Sequence, residues 1–125
     1  MSGIGSGPRP SPRTSRASGP PRWQVPEVDG PALALARAVQ HSVDALQTAG
    51  RSRWAEVLEP LVDPLQDGDL RAVRLAANRV RAAFGVGESV AEDLSDADAR
   101  ALRDATDATL RALARHDAIS ATRTE

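Results

Sequence analysis

With 125 residues the chain is long enough for one ordinary hydrophobic core and too short for a second domain. It has neither cysteine nor lysine, which excludes disulfides, thiolate nucleophiles, Cys-based metal sites, Schiff-base chemistry and a phosphate-loop lysine. The net charge of −1 is unevenly placed: residues 1–26 hold four arginines and no acid, whereas residues 27–125 hold twelve arginines against seventeen acids, a net −5.

The apolar 41% comes mostly from Ala, Leu and Val, with two Trp, one Phe and no Tyr, so the expected core is aliphatic and helical. The reading is an all-α fold: a small bundle of about four helices at 31–49, 53–66, 70–84 and 96–115, behind a disordered N-terminal leader. Residues 1–30 form that leader, 31–117 the bundle and 118–125 a frayed end. No stretch reaches the roughly 18 apolar residues of a membrane span, and the N-terminus has no apolar signal core, so a cytoplasmic location away from membranes is the default.

The leader carries Pro8, Pro10, Pro12, Pro20, Pro21 and Pro26 among Ser and Gly, a composition that cannot bury enough apolar surface to offset chain entropy. Trp23 and Val25 are its only docking points; Trp23 either folds back on the bundle or stands exposed. The first helix is expected to open near Asp29-Gly30-Pro31, where proline suits the first turn, and to close at Gly50. Leu33, Ala36, Val39, Val43 and Leu46 would face inward.

Ser52 is placed to cap a second helix in which Trp54, Val57, Leu58, Leu61, Val62 and Leu65 repeat at helical spacing, with Trp54 anchoring the core. Glu56, Glu59 and Asp63 take the wet face. Pro60 and Pro64 each remove a backbone donor, so a kink or break near Glu59 is expected. Asp67-Gly68-Asp69 makes a turn and N-cap, after which Leu70, Val73, Ala77, Val80 and Phe84 trace the stripe of a third, basic helix. Its Arg71, Arg74, Asn78 and Arg81 would pair with the acids of the preceding arm in an antiparallel hairpin. Residues 85–94 read as a loop, and Ser95 opens a fourth helix whose inner face, Leu102, Thr106, Thr109, Leu110 and Leu113, is the weakest of the four.

Few groups suggest chemistry. Gly85-Val86-Gly87-Glu88-Ser89 lacks the third glycine or the lysine of a phosphate loop and precedes the acids Glu88, Glu92, Asp93, Asp96 and Asp98, which would repel phosphate. Those acids lack the alternating spacing of a calcium loop, so a solvated loop or a contact for a basic partner is the better reading. His41, expected near Arg37 and Asp44, and His116, at a helix end, have no nucleophile beside them. No catalytic residue, cofactor or metal is therefore expected.

Arg53-Trp54 at a helix start, aliphatics at Val57, Leu61 and Leu65, and Gly68-Asp69 before an Ala/Leu helix form one pattern. In these features residues 53–84, about a third of the chain, resemble small helical proteins associated with the CATRA conflict systems of actinobacteria. The chain departs from that pattern at Pro60 and Pro64 and at Ala82-Ala83-Phe84-Gly85. The resemblance implies an accessory, protein-binding role and brings no catalytic residue with it. The expected function is thus a non-enzymatic interaction module with a protein partner, its candidate contacts Trp23, Arg71, Arg74 and Leu75. The alternative is an accessory protein that binds nucleic acid through its Arg-rich leader.

Overall fold

Buried residues recur at Val25, Val28, Ala32, Leu35, Val39, Ser42 and Leu46, a strict three-four alternation that turns one face of a long helix into a continuous seam. That helix, α1 (Pro26–Thr48), is the first of five in a computed structural model that describes residues 21–85 and 87–123. The others are α2 (Ser52–Leu58), α3 (Val62–Asp67), α4 (Leu70–Ala82) and α5 (Asp96–Arg123). Helices α2 and α3, joined by a 3₁₀ turn at Glu59–Leu61, form one broken arm, so the described residues build a four-armed all-α bundle with no strand.

Helix α1 opens at Pro26, not near Asp29-Gly30-Pro31, and residues 22–30 belong to the body rather than to a leader. Pro26 takes the first-turn position that Pro31 was expected to occupy, and Glu27 and Asp29 lie at the positive end of the helix. Leu35 is fully buried where Leu33 is only half-buried. A 3₁₀ turn at Arg22–Gln24 precedes α1, and within it Arg22 is 8% exposed. Its Nε donates to Asp29 Oδ1 at 2.9 Å, and its Nη1 donates to the carbonyls of Gly68 at 3.1 Å and Pro64 at 3.4 Å. One arginine thus fastens the entry of the chain to the C-terminal end of α3, where the helix dipole favours a cation.

The first corner is a Schellman turn. Gly50 sits at φ 77°, its N–H reaches the Gln47 carbonyl at 3.1 Å, and the Arg51 N–H reaches Leu46 at 2.7 Å. Arg51, not Ser52, is the N-cap of α2, and no side chain caps it. The break expected near Glu59 is present, because Pro60 has no N–H to continue the ladder.

Helices α3 and α4 are joined through Gly68 and Asp69, and Asp69 Oδ1 accepts the Ala72 N–H at 2.8 Å. After α4 the Val90 N–H returns to the Ala83 carbonyl at 2.8 Å and Val90 is fully buried, so the connection is pinned to the core midway. A 3₁₀ turn at Val90–Asp93 and the Ser95 hydroxyl, which accepts the Asp98 N–H at 3.1 Å, then start α5.

The arm expected to be weakest is the longest. Helix α5 runs to Arg123, past both the expected end at 115 and the start of the expected frayed segment at 118. It lies antiparallel along α1: His41 meets Asp98 at one end, Thr109 meets Pro31 in the middle and His116 meets Glu27 at the other. The buried threonines carry their own acceptors. Thr106 Oγ1 donates to Leu102 O at 2.7 Å, and Thr109 Oγ1 reaches Ala105 O at 2.8 Å and Pro31 O at 3.2 Å. Around this pair, the α2–α3 arm packs on α1 and α4 packs between α3 and α5, leaving α1 and α4 diagonal.

Two substitutions probe the fold. A Cβ at Gly68 would lie 2.5 Å from the Pro64 carbonyl oxygen and 2.8 Å from the Ala72 Cβ, so Gly68→Ala should lower unfolding free energy by about 1–3 kcal/mol in urea titrations. Asp29→Ala should cost about 1–3 kcal/mol, more than Arg22→Met, since it strands a buried guanidinium whereas the reverse change leaves a carboxylate that water reaches.

Candidate interaction surface

Ala55, Leu58, Leu61, Val62 and Leu65 of the α2–α3 arm are buried in the core, whereas Trp54, Val57 and Pro64 are not. The remainder emerges beside α4. Trp54 and Val57 form one cleft with Arg79, Ala82 and Ala83, of about 250 Å³. Leu61 and Pro64 form a second with Ala72, Leu75, Ala76 and Arg79, of about 190 Å³. Arg79 lines both, so the two clefts adjoin at its side chain and together form an interrupted groove along the seam between the two arms. From Ala72 to Ala82, at 1.5 Å per residue, the groove is about 15 Å long, or three helical turns. Val57 is 46% and Leu75 57% exposed within it.

Trp54 is half-buried: it packs on the core from outside and lines the groove, with the Arg53 guanidinium 5.5 Å from its ring centre. It is a wall of the surface rather than the centre of the core. Of the other sequence candidates, Leu75 and Arg71 are exposed. Trp23 is 74% exposed and stands away from the bundle, while its neighbour Arg22 is the buried one. Arg74 is held by Asp117 of α5 through bonds of 2.7 and 3.0 Å. The structure thus places Leu75 in the groove, while Arg74 and Trp23 lie at the end of the bundle where α1 begins and α5 closes.

The expected pairing of the α4 arginines with Glu56, Glu59 and Asp63 does not occur among the described residues. The groove residues occupy the α4 side of the broken arm, so the three acids emerge on its far edge, and Arg74 turns instead to α5. Three of the five acids from Glu88 to Asp98, around the start of α5, are engaged within the chain: Glu88 pairs with Arg53, Asp93 approaches Arg51 at 3.9 Å and Asp98 meets His41 at 3.0 Å. Among the described residues no three His, Cys, Asp or Glu side chains group to hold a metal. His41 contacts Asp98 rather than Arg37 or Asp44, and Asp44 accepts from Gln40. Both histidines therefore bridge α1 and α5.

On the opposite side of α4, Arg81, Phe84, Arg103, Thr106 and Asp107 line a cleft of about 280 Å³, with the Arg103 guanidinium 4.7 Å from the Phe84 ring centre. A further cleft of about 410 Å³ includes Arg100, Arg103, Asp96 and Asp104. Charges of both signs line each, in contrast to the groove, where arginine is the only charge. The arginines expected to contact nucleic acid lie outside the described residues, except Arg22, whose charge is taken up by Asp29. No described helix is long and apolar enough to cross a membrane.

No protein-family model, no curated protein and no solved structure matches the chain.

Sequence reasoning assigned Val57 to the core and did not single out Arg79. The available signal was the width of the stripe. That signal was weak, because six apolar positions in about three turns make an ordinary amphipathic face, and of these six Val57, at the edge of the stripe, is the exposed one.

The Arg53–Glu88 pair gives a direct test of this corner. The hydrogen bond and charge of Arg53 hold the Glu88 carboxyl below the ordinary value of 4.5, and Glu88 raises Arg53 in return. A depressed carboxyl pKa means that its contribution is present above the unfolded value and is lost as pH falls through the folded one. An NMR titration should therefore place Glu88 below its usual midpoint in the wild type and return it to normal in Arg53→Met.

Proposed function

We propose that this protein is a non-catalytic interaction module whose α2–α3/α4 groove receives a protein partner, in an accessory role within a bacterial conflict or regulatory system of the kind its hairpin resembles. The observation that carries the reading is the groove itself. Val57 and Leu75 stand about half exposed on facing arms, between clefts walled by Trp54, Leu61 and Pro64. Contiguous apolar surface of this kind, continuous with a packed core, is what protein interfaces use. Each imidazole lies against a carboxylate of the other long helix, so the two histidines join α1 and α5 at opposite ends.

The test is co-purification with proteins encoded by adjacent genes, comparing the wild type with Val57→Asp and Leu75→Asp. Both side chains are substantially exposed, so each variant should keep its unfolding free energy within about 0.5 kcal/mol. A partner retained by the wild type should be lost from both. Undiminished retention by folded variants would remove the groove from the proposal.

A further inference from the structure

We infer that the groove takes an amphipathic helix with an aliphatic ridge and acidic flanks. This rests on the binding reading above and specifies the chemistry of the partner. The shape of the site comes first: an open groove about three turns long between two helical arms is the setting in which a third helix packs its ridge of side chains. A strand would need an unpaired sheet edge, and the described residues contain no strand.

Charge then selects among helices. No acid lines either cleft, and Arg79 stands at their junction with no ion pair among the described residues. Helix α4 carries Arg71, Arg74, Arg79 and Arg81 and no acidic residue, and of these only Arg74 is paired. Arg53 lies over Trp54 at the opposite wall but is already paired with Glu88, so the charge selection rests on Arg79 and Arg71. A ligand with aliphatic residues at i, i+3 and i+7 would fill the clefts beside Val57 and Leu75, and carboxylates on its flanks would reach Arg79 and Arg71. Residues 1–20 of the same chain are excluded as occupant by charge, since they hold three arginines and no acid.

The experiment is selection from a displayed library of helices about 14 residues long, with leucine fixed at i, i+3 and i+7 and the remaining positions drawn from Ala, Glu, Lys, Gln and Ser. The full chain is the target, and the Val57→Asp/Leu75→Asp variant is the counter-target. Enriched sequences should carry net negative charge and bind the double variant at least about tenfold more weakly. Arg79→Glu should weaken a selected peptide by about tenfold, whereas Arg81→Glu, on the other side of α4, should change it less than twofold.

Enrichment of neutral or basic helices would overturn the inference while leaving the groove as a protein site. Failure to enrich any groove-dependent helix would overturn it too, and loss of partner retention in the co-purification decides separately whether the broader reading survives. A concentration-dependent dimer of the chain alone, abolished by Leu75→Asp in sedimentation velocity, would make a second copy the occupant and overturn it as well.

Discussion

The fold depends on the antiparallel pairing of its first and last helices. Along α1 the buried positions keep a three-four alternation from Val25 to Leu46, and α5 answers with Leu102, Thr106, Thr109 and Leu113. The pairing joins residues as far apart as Glu27 and His116, so forming it closes nearly the whole described chain. The two threonines of the seam are admitted because acceptors lie within reach: Thr106 and Thr109 donate to carbonyls one turn earlier, and Thr109 also reaches Pro31. Pro31 removes a donor from α1, and its own carbonyl gains a partner from the opposite helix.

The α2–α3 arm cannot stand without that frame. Helices of seven and six residues on either side of a 3₁₀ turn are far below the length at which an isolated helix persists in water. Leu58, Val62 and Leu65 hold them against the bundle, and Arg22 fixes the far end by binding the carbonyls of Pro64 and Gly68. The proline that breaks the arm leaves its helical period intact, since the core positions 55, 58, 62 and 65 and the groove positions 54, 57, 61 and 64 are each spaced three, four and three. The apolar stripe divides between residues turned to the core and residues turned to the seam with α4, and the groove is the result.

The parts governed by local rules were readable in advance. The break near Pro60, the Gly68-Asp69 corner, the Ser95 cap and the outward position of Leu75 follow from backbone donors, capping and helical period, and all four are present. The start of α1 was misplaced because Asp29-Gly30-Pro31 imitates a helix entry, although Val25 and Val28 already continue the seam upstream. The length of α5 was underestimated because Thr, His and Ser occupy seam positions where a hydrophobic count expects Leu. The ion pairs were the least legible feature. Arg74 with Asp117, Arg53 with Glu88 and His41 with Asp98 join residues 35 to 57 positions apart, and sequence neighbours such as Asp44 give no hint of them.

The groove is not something the fold requires. Burying the α2–α3 arm needs Ala55, Leu58, Leu61, Val62 and Leu65, and burying α4 needs Leu70, Val73, Ala76, Ala77 and Val80, of which Leu61 and Ala76 also form the floor of the groove. Positions 57 and 75 add little to either task, since about half of each side chain remains in water. Polar residues there would leave the core unchanged and would be the ordinary outcome on a surface whose neighbours include Arg71, Asn78 and Arg79. One exposed aliphatic residue would call for no explanation. Two, on facing arms, each beside a cleft that ends on the same arginine, define a surface with its own shape and charge, and that coincidence is the physical ground for proposing that it takes a partner.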